Sequence, residues 1–420
     1  FILNSFKVSF DVEKGLINKF KFIFILLPTL LVIMIHFSYL LIEQPIQFDS
    51  NEYLSIADNI ISKAEYSVSK INEKDFPEFK GESPTRLRQP IYPLFLALIL
   101  FLFKNSINAV LIIQLLISLL ILFLVIDIGK RIFQSEYNYY NNLILALYFP
   151  LWMLSASILT EIVFTFFITL SIWFYLISFE KNKFNYVLLS GILLGIAFLT
   201  RPIALIIFIV TSSLILFKRE KIKLKSFGIF TLGFIIIIAP WVLRNYFVLD
   251  EFTALSSDGG YNLYSSTLGV NKKPWLDDEG FKSAVLNGYY IDNRANKNFI
   301  SLSIESIASA PLSYVKNGFL RILSTWSYFA GSRVFQNKMI IFFSFSIVQI
   351  FILLFALFGI HKYKKTKNLF LLILPIISFT IIIIFSYSTS RFFIPIMPFV
   401  LLLTGQGILS FIEKIKKHNY

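Results

Sequence analysis

Long apolar runs divided by short polar gaps dominate this chain. They lie near 20–42, 91–103, 106–128, 143–158, 161–179, 185–200, 202–217, 226–243, 338–360, 368–387 and 392–412. A helix needs about 20 apolar residues to cross a hydrocarbon core about 30 Å thick. The pattern therefore predicts an all-α polytopic membrane protein, a helical bundle of about 10–11 membrane segments. The run at 91–103 has 13 residues, about 20 Å as a helix. It reads as re-entrant or as half of a broken helix, which leaves about ten full crossings. Two polar stretches are far longer than the others, 43–90 and the one that opens at 244.

Composition sharpens this. Of 420 residues, 56% are hydrophobic and 15% charged, with mean hydropathy +0.71, against about 45–50% and about 25% in soluble domains. A soluble enzyme, a disordered tail and a fibrous repeat are excluded. The chain has no Cys and three His, far apart in sequence, so disulfides, thiolate metal sites and Cys nucleophiles fall away.

The net charge of +14 has a position. Lys7, Lys14, Lys19, Lys21, Lys130, Arg131, Lys181, Lys183, the segments 218–225 and 361–367 and the C-terminus hold 20 of the 39 basic residues. The long stretches are balanced, with 6 basic and 9 acidic residues in 43–90. Short basic connections mark the cytoplasmic side, so both termini face inward and the long stretches face outward. The charge is topology, and nucleic acid is not implied. The first span is too long for a signal-peptide core and lacks a small-residue cleavage site, so it reads as a retained helix. Ile, Phe, Lys and Asn usage resembles that of an AT-rich bacterial genome, a compositional hint, and a bacterial cytoplasmic membrane is expected. The organisation expected is a cytoplasmic segment 1–19, a membrane module 20–243 containing outer loop 43–90, an outer loop 244–337, membrane helices 338–412 and a cytoplasmic tail 413–420.

Ionisable groups at span ends carry cost and function. Asp49, Tyr53, Ala57 and Ile60 recur at helical spacing after the first span, so one face presents Asp49 and Tyr53 together; Asp49 or Ser50 reads equally as a helix cap. Glu52 lies on the same short helix. Arg86 and Arg88 precede the Pro90–Pro93 segment that contains Tyr92, where guanidinium groups suit a phosphate or lipid headgroups. Glu161 interrupts a long apolar stretch at a hairpin tip. Gly191 and Gly195 form a small-residue face for close helix packing. Arg201, Arg244 and Arg391 mark further span ends, and Tyr261 follows a Gly-Gly turn. By parity all of these charges fall on the outer face, whereas the inner face carries lysine runs. The segment 294–326 reads as surface helices broken at Pro311.

The ordered motifs are an Asp-x-x-x-Tyr-x-x-x-Ala helix, the Pro-x-Tyr-Pro-Leu-Phe-Leu-Ala run, Leu-Thr-Glu, Leu-Thr-Arg-Pro, Pro-Trp-x-x-Arg-Asn-Tyr with Gly-Gly-Tyr-Asn-Leu-Tyr, and Arg-x-x-x-Pro-x-x-Pro-Phe. Together they resemble the GT-C glycosyltransferases, in particular the family 39-like relatives of protein O-mannosyltransferases and the lipid A aminoarabinose transferase. Ser50 stands where many relatives carry a second acid, and Gln89 separates Arg88 from Pro90. The resemblance implies a GT-C-like bundle that transfers a sugar from a polyprenyl-phosphate donor to a lipid, glycan or protein hydroxyl outside the cell, with inversion. It implies Asp49 as general base and Glu161 as its neighbour at the acceptor or an arginine. Arg88 and Arg201 would lead the phosphate ligands, backed by Arg86, Arg244 and Arg391, with Glu52, Tyr53, Tyr92 and Tyr261 lining the sugar and acceptor pocket. No cofactor or metal is called for, and Asp277, Asp278 and Glu279 read as a solvated acidic turn. A flippase or an O-antigen-type polymerase for lipid-linked saccharides is the alternative.

Overall fold

The computed structural model describes residues 23–46, 48–69, 71–73, 76–79, 84–134, 140–217, 223–268, 293–327, 339–386 and 390–418. In chain order the elements are α1 (Ile23–Leu40), α2 (Phe48–Lys63), a two-stranded antiparallel ribbon of β1 (Ile71–Glu73) and β2 (Phe76–Phe79), α3 (Ile91–Leu102), α4 (Ile107–Phe133), α5 (Tyr140–Leu147), α6 (Phe149–Met153), α7 (Glu161–Lys181), α8 (Phe184–Phe198), α9 (Ala204–Phe217), α10 (Lys223–Leu249), α11 (Gly259–Thr267), α12 (Asn293–Ser309), α13 (Pro311–Ser327), α14 (Met339–Tyr363), α15 (Phe370–Phe385) and α16 (Met397–His418). Short 3-10 turns lie at Leu154–Ala156 and Ser390–Ile396. Among the described residues, six helices are long and apolar enough to cross a membrane: Ile23–Leu40, Ile107–Phe133, Glu161–Lys181, Leu224–Leu249, Ser346–Tyr363 and Arg391–Lys416. The protein is an integral membrane protein. The acidic segment at 277–279 lies outside the described residues.

Contacts sort the helix ends into two groups. At one end, Arg131 of α4 pairs with Glu180 of α7, Lys225 of α10 lies 4.3 Å from the ring of Phe184 at the start of α8, and Lys362 of α14 reaches Glu413 of α16 at 3.1 Å. Asn142 of α5 donates to the Phe24 carbonyl of α1 at 3.1 Å there as well. At the other end, Ser50 of α2 donates to the Ile158 carbonyl, the Ile91 amide bonds the Leu199 carbonyl, and Arg391 meets Asp49. Hence α1, the broken pair α5–α6, α8, α10 and α15 run toward the second end, and α4, α7, α9, α14 and α16 run away from it. The lysine-rich connections collect at the first end.

The short run at 91–103 behaves as its length demands. Helix α3 starts beside Leu199 at the second end, and Lys104 and Asn105, at φ 51° and 62°, turn the chain into α4. Ser106 caps α4 by accepting from the Ala109 amide at 3.3 Å. Tyr92 near the start of α3 bonds Gln114 in the third turn of α4, so α3 lies antiparallel beside that end, and α4, with 27 residues, makes the crossing.

Helix packing exploits missing side chains. A methyl at Gly191 would collide with the Phe230 carbonyl, and one at Gly233 with the Leu188 carbonyl. Helices α8 and α10 therefore cross backbone to backbone, as small-residue faces permit. Gly359 and Gly407 do the same for α14 and α16.

Helices α12 and α13 occupy 293–327 and change direction at Pro311, where a second helix starts. Leu312, Phe319 and Leu323 of α13 are exposed, the arrangement of a helix lying against lipid. Its other face holds buried Arg321, which donates to the carbonyls of Ser266 (2.6 Å), Ile384 (2.6 Å) and Ile383 (3.3 Å). A guanidinium thus satisfies the open carbonyls and negative dipole end of α15.

Candidate active site

Helix α2 is tied to the start of α7 by two bonds. Ser50 Oγ donates to the Ile158 carbonyl and the Ile158 amide to the Pro45 carbonyl, each at 2.9 Å. Tyr53 and Ala57 face inward, and Tyr53 meets Tyr92 edge-on with ring centres 5.0 Å apart. Asp49, one helical turn earlier on this face, is therefore delivered beside Glu161. Its carboxylate faces arginines.

Three guanidinium groups and four carboxylates converge there. Arg391 donates to Asp49 Oδ2 at 2.6 Å, and its Nε lies 3.1 Å from Glu161 Oε1. Arg201 Nη1 lies 2.8 Å from the same Glu161 oxygen and 3.3 Å from Thr160 Oγ1, with its guanidinium 5.2 Å from the Phe392 ring centre. Arg88 is shared: Nε goes to Glu52 Oε2 at 2.5 Å, Nη1 to Asp258 Oδ2 at 3.2 Å and Nη2 to Asp49 Oδ1 at 3.5 Å. Its plane lies 5.3 Å from the Tyr53 ring centre. Glu161 is 1% exposed, and its Oε2 has no hydrogen-bond partner among the described residues. That oxygen is open to a donor that is not part of the protein.

Electrostatics separate the acids of α2. Burial alone would raise the Asp49 carboxyl, but Arg391 and Arg88 overrule it and hold it at about 2. For Glu52 burial prevails over Arg88, and the carboxyl is raised. Burial pushes the Tyr53 phenol up to about 12, so it stays a neutral donor.

Arg86 and Arg244 are placed differently from Arg88. Arg86 pairs with Glu251 and donates to the Leu255 carbonyl at 3.1 Å. Arg244 donates to the carbonyls of Thr85 (2.8 Å) and Tyr66 (3.2 Å) and lies over the Trp241 and Tyr66 rings. Gln89 donates to the Ala254 carbonyl at 3.0 Å, and the Ser257 amide to the Arg86 carbonyl at 3.0 Å. Together these bonds lay the strap 250–258 across 85–89. Expected among the phosphate ligands, Arg86 and Arg244 instead bind that strap and the loop beneath it.

Tyr92 is fully buried, and its hydroxyl donates to Gln114 Oε1 at 2.9 Å. Gln114 Nε2 donates in turn to the carbonyls of Ser155 (2.9 Å) and Ser157 (2.8 Å). Tyr92 thus supports Tyr53 from behind. Tyr261, three residues past Asp258, packs edge-on against Phe299 of α12. Asp258, Thr160, Gln114 and Phe392 are site residues that sequence reasoning passed over. For Asp258 a signal existed, an acid directly before Gly259 and Gly260 in the motif that carries Tyr261. Among the described residues, no group of three or more His, Asp or Glu side chains is placed to hold a metal ion.

Comparison with known proteins bears on this arrangement. Residues 84–243 match the profile of the dolichyl-phosphate-mannose-protein mannosyltransferase family, a stretch that contains Arg86, Arg88, Tyr92, Glu161 and Arg201. The chain superposes on the oligosaccharyltransferase of Archaeoglobus fulgidus with a TM-score of 0.55 at 11% identity, covering 94% of this chain and 51% of that one. The chain has the GT-C glycosyltransferase fold. The same archaeal enzyme in complex with an inhibitory peptide and a dolichol-phosphate aligns with TM-score 0.54 and 12% identity over 96% and 52% of the two chains. ArnT from Cupriavidus metallidurans bound to undecaprenyl phosphate gives 0.42 at 11% identity over 91% and 77%. The chain spans about half the length of the oligosaccharyltransferase it matches. Comparison with curated proteins gives no match.

Proposed function

We propose that this chain is a membrane glycosyltransferase that moves a sugar from a polyprenyl-phosphate donor to an acceptor hydroxyl at the outer face of a bacterial cytoplasmic membrane. The observation that carries the reading is the convergence of Asp49, Glu161, Arg88, Arg201 and Arg391 from distant parts of the chain at one end of the bundle. Lysine-rich connections at the opposite end support an outward-facing site, since basic short loops stay inside. The matched family profile and the dolichol-phosphate bound by the archaeal enzyme support a lipid-phosphate donor.

In this scheme the acceptor oxygen attacks the anomeric carbon from the side opposite the phosphate. The carbon–oxygen bond to phosphate breaks with its electron pair on the phosphate, configuration inverts, and the acceptor proton passes to Asp49. Arg88, Arg201 and Arg391 meet the growing phosphate charge in a site shielded from water, where fixed donors are most effective. Asp49, held low by two arginines, is a weak base until they turn to the phosphate. Donor binding then raises its proton affinity in the presence of the acceptor. Glu161 holds Arg201 and Arg391 through Oε1 and offers Oε2 to a sugar or acceptor hydroxyl. Arg86 and Arg244 keep the strap in place.

The test is Asp49→Asn, assayed for sugar transfer in membranes supplied with polyprenyl-phosphate-linked sugars. Loss of a general base lowers the rate by about 10²–10⁴; undiminished transfer removes Asp49 from that role. An Arg88→Ala, Arg201→Ala double variant is expected to weaken donor binding, and unchanged affinity would take both residues off the phosphate.

A further inference from the structure

We infer that Trp326 is a positioning residue for the donor phosphate: through Phe393 it holds the turn that aims Arg391 into the site. The inference rests on the glycosyltransferase reading and adds to it a residue outside the charged cluster.

Three consecutive residues of the 3-10 turn Ser390–Ile396 do three different things. With three residues per turn, successive side chains point about 120° apart. Arg391 meets Asp49 and Glu161. Phe392 lies beside two cations, its ring centre 5.2 Å from the Arg201 guanidinium and 5.7 Å from that of Arg391. Phe393 is 1% exposed and stacks on the buried Trp326, with ring centres 4.9 Å apart and planes at 23°. One side of the turn thus serves the site, and another rests on Trp326.

Trp326 is a firm support because its helix is. It sits in the last turn of α13, which is fastened to the end of α15. Arg321 donates to the carbonyls of Ile383 and Ile384, and the Tyr314 hydroxyl to the Phe385 carbonyl at 3.2 Å. A methyl at Gly318 would lie 2.8 Å from the Ile384 side chain and 3.0 Å from its carbonyl oxygen, so the two helices touch directly. Helix α13 therefore grips the chain at Phe385 by hydrogen bond and again at Phe393 by stacking.

The turn needs that grip. Hydrogen bonds of 3-10 geometry are poorly aligned, and a seven-residue turn has few of them. Asp49 and Glu161 also fix Arg391, but a phosphate that draws the guanidinium toward itself weakens both pairs. Its placement then depends on the backbone of the turn, hence on Phe393 and Trp326. A shift of about 1 Å transmitted from a residue remote from the chemistry is costly.

The experiment measures binding of undecaprenyl phosphate to the full chain in lipid nanodiscs, with undecaprenol as the uncharged control. Arg391→Ala is expected to weaken the phosphate lipid about tenfold or more, the scale of a charge-assisted bond. Trp326→Leu should weaken it about fivefold, the scale of one lost aromatic stack. Trp326→Phe keeps a ring and should stay within about twofold of wild type. In the Arg391→Ala background, Trp326→Leu should change affinity by less than about twofold, because the turn then has no guanidinium to aim. A residue that only stabilised the fold would lower affinity by the same factor in both backgrounds. Phe393→Leu removes the other ring of the stack and should reproduce this pattern, which keeps the test open if Trp326→Leu fails to fold. Phe133→Leu trims a buried ring 5.1 Å from Tyr363 at the opposite end of the bundle and should leave phosphate affinity unchanged, and no variant should alter affinity for the alcohol. Unchanged affinity in Trp326→Leu, an equal loss in Trp326→Phe, or the same factor in both backgrounds overturns the role of Trp326 and leaves the donor site standing. No binding of the phosphate lipid by wild type overturns the donor reading and this proposal with it.

Discussion

Arg391 joins the two acids at the centre of the site, and its removal tests the arrangement most directly. In Arg391→Ala, Asp49 keeps Arg88 at 3.5 Å and Glu161 keeps Arg201 at 2.8 Å. Breaking a buried pair by removing one partner costs about 3–5 kcal/mol. The Arg391 side chain is 27% exposed and both acids retain a cation, so the expected cost to stability is about 1–2 kcal/mol. The loss in rate should be larger. A preorganised donor to a developing oxyanion is worth about 10²–10³ in kcat, and Arg391 would be one of three. Asp49 supplies an internal check. Its folded carboxyl lies near 2 against an ordinary 3.8, so its ion pairs stabilise the fold above pH 3.8, and that stability is lost as pH falls through 2. The full shift corresponds to about 2 kcal/mol. Removing Arg391 moves the carboxyl upward, because burial persists and one attraction is gone. At pH 7 it remains ionised in both proteins, so a fall in kcat there reports lost stabilisation of the phosphate and not a protonated base. The assay is transfer from a polyprenyl-phosphate sugar in nanodiscs from pH 4 to 8, with a melting curve for each variant. A variant within about threefold of wild-type kcat at pH 7 would refute the reasoning.

Other expectations can be checked in parallel. Gln114→Leu strips a partner from the Tyr92 hydroxyl and from two buried carbonyls; a loss of about 2–4 kcal/mol is expected from melting curves. Gly233→Leu forces a side chain into the Leu188 carbonyl at the α8–α10 crossing and should cost about 3 kcal/mol or more, seen as loss of monodisperse protein. Arg321→Met removes the cation from the end of α15. It should lower the melting temperature and accelerate amide exchange in 311–327, with less effect on exchange in α4.

Much of the bundle is legible in one dimension because membrane insertion obeys one-dimensional quantities. Apolar length decides what can span, and lysine placement decides which way it faces. The 13-residue run at 91–103 was too short to cross, and α3 lies beside the start of α4 for that reason. Gly191 and Gly195 announced a close helix crossing because only a missing side chain permits one. The helical spacing of Asp49, Tyr53 and Ala57 likewise placed them on one face before any contact was known.

What tertiary structure decided is which charge meets which. Arg86, Arg88 and Arg244 look alike in sequence, each an arginine near a span end. Packing gives Arg88 three carboxylates, whereas Arg86 and Arg244 hold the strap and loop around it. Arg391 and Asp49 are 342 positions apart, and no local pattern links them. Asp258 was hidden for the same reason, since its role depends on where the strap crosses 85–89. Hydropathy and parity are sums over neighbours along the chain. Ion pairing falls off over a few ångströms in space, so only the folded bundle specifies its partners.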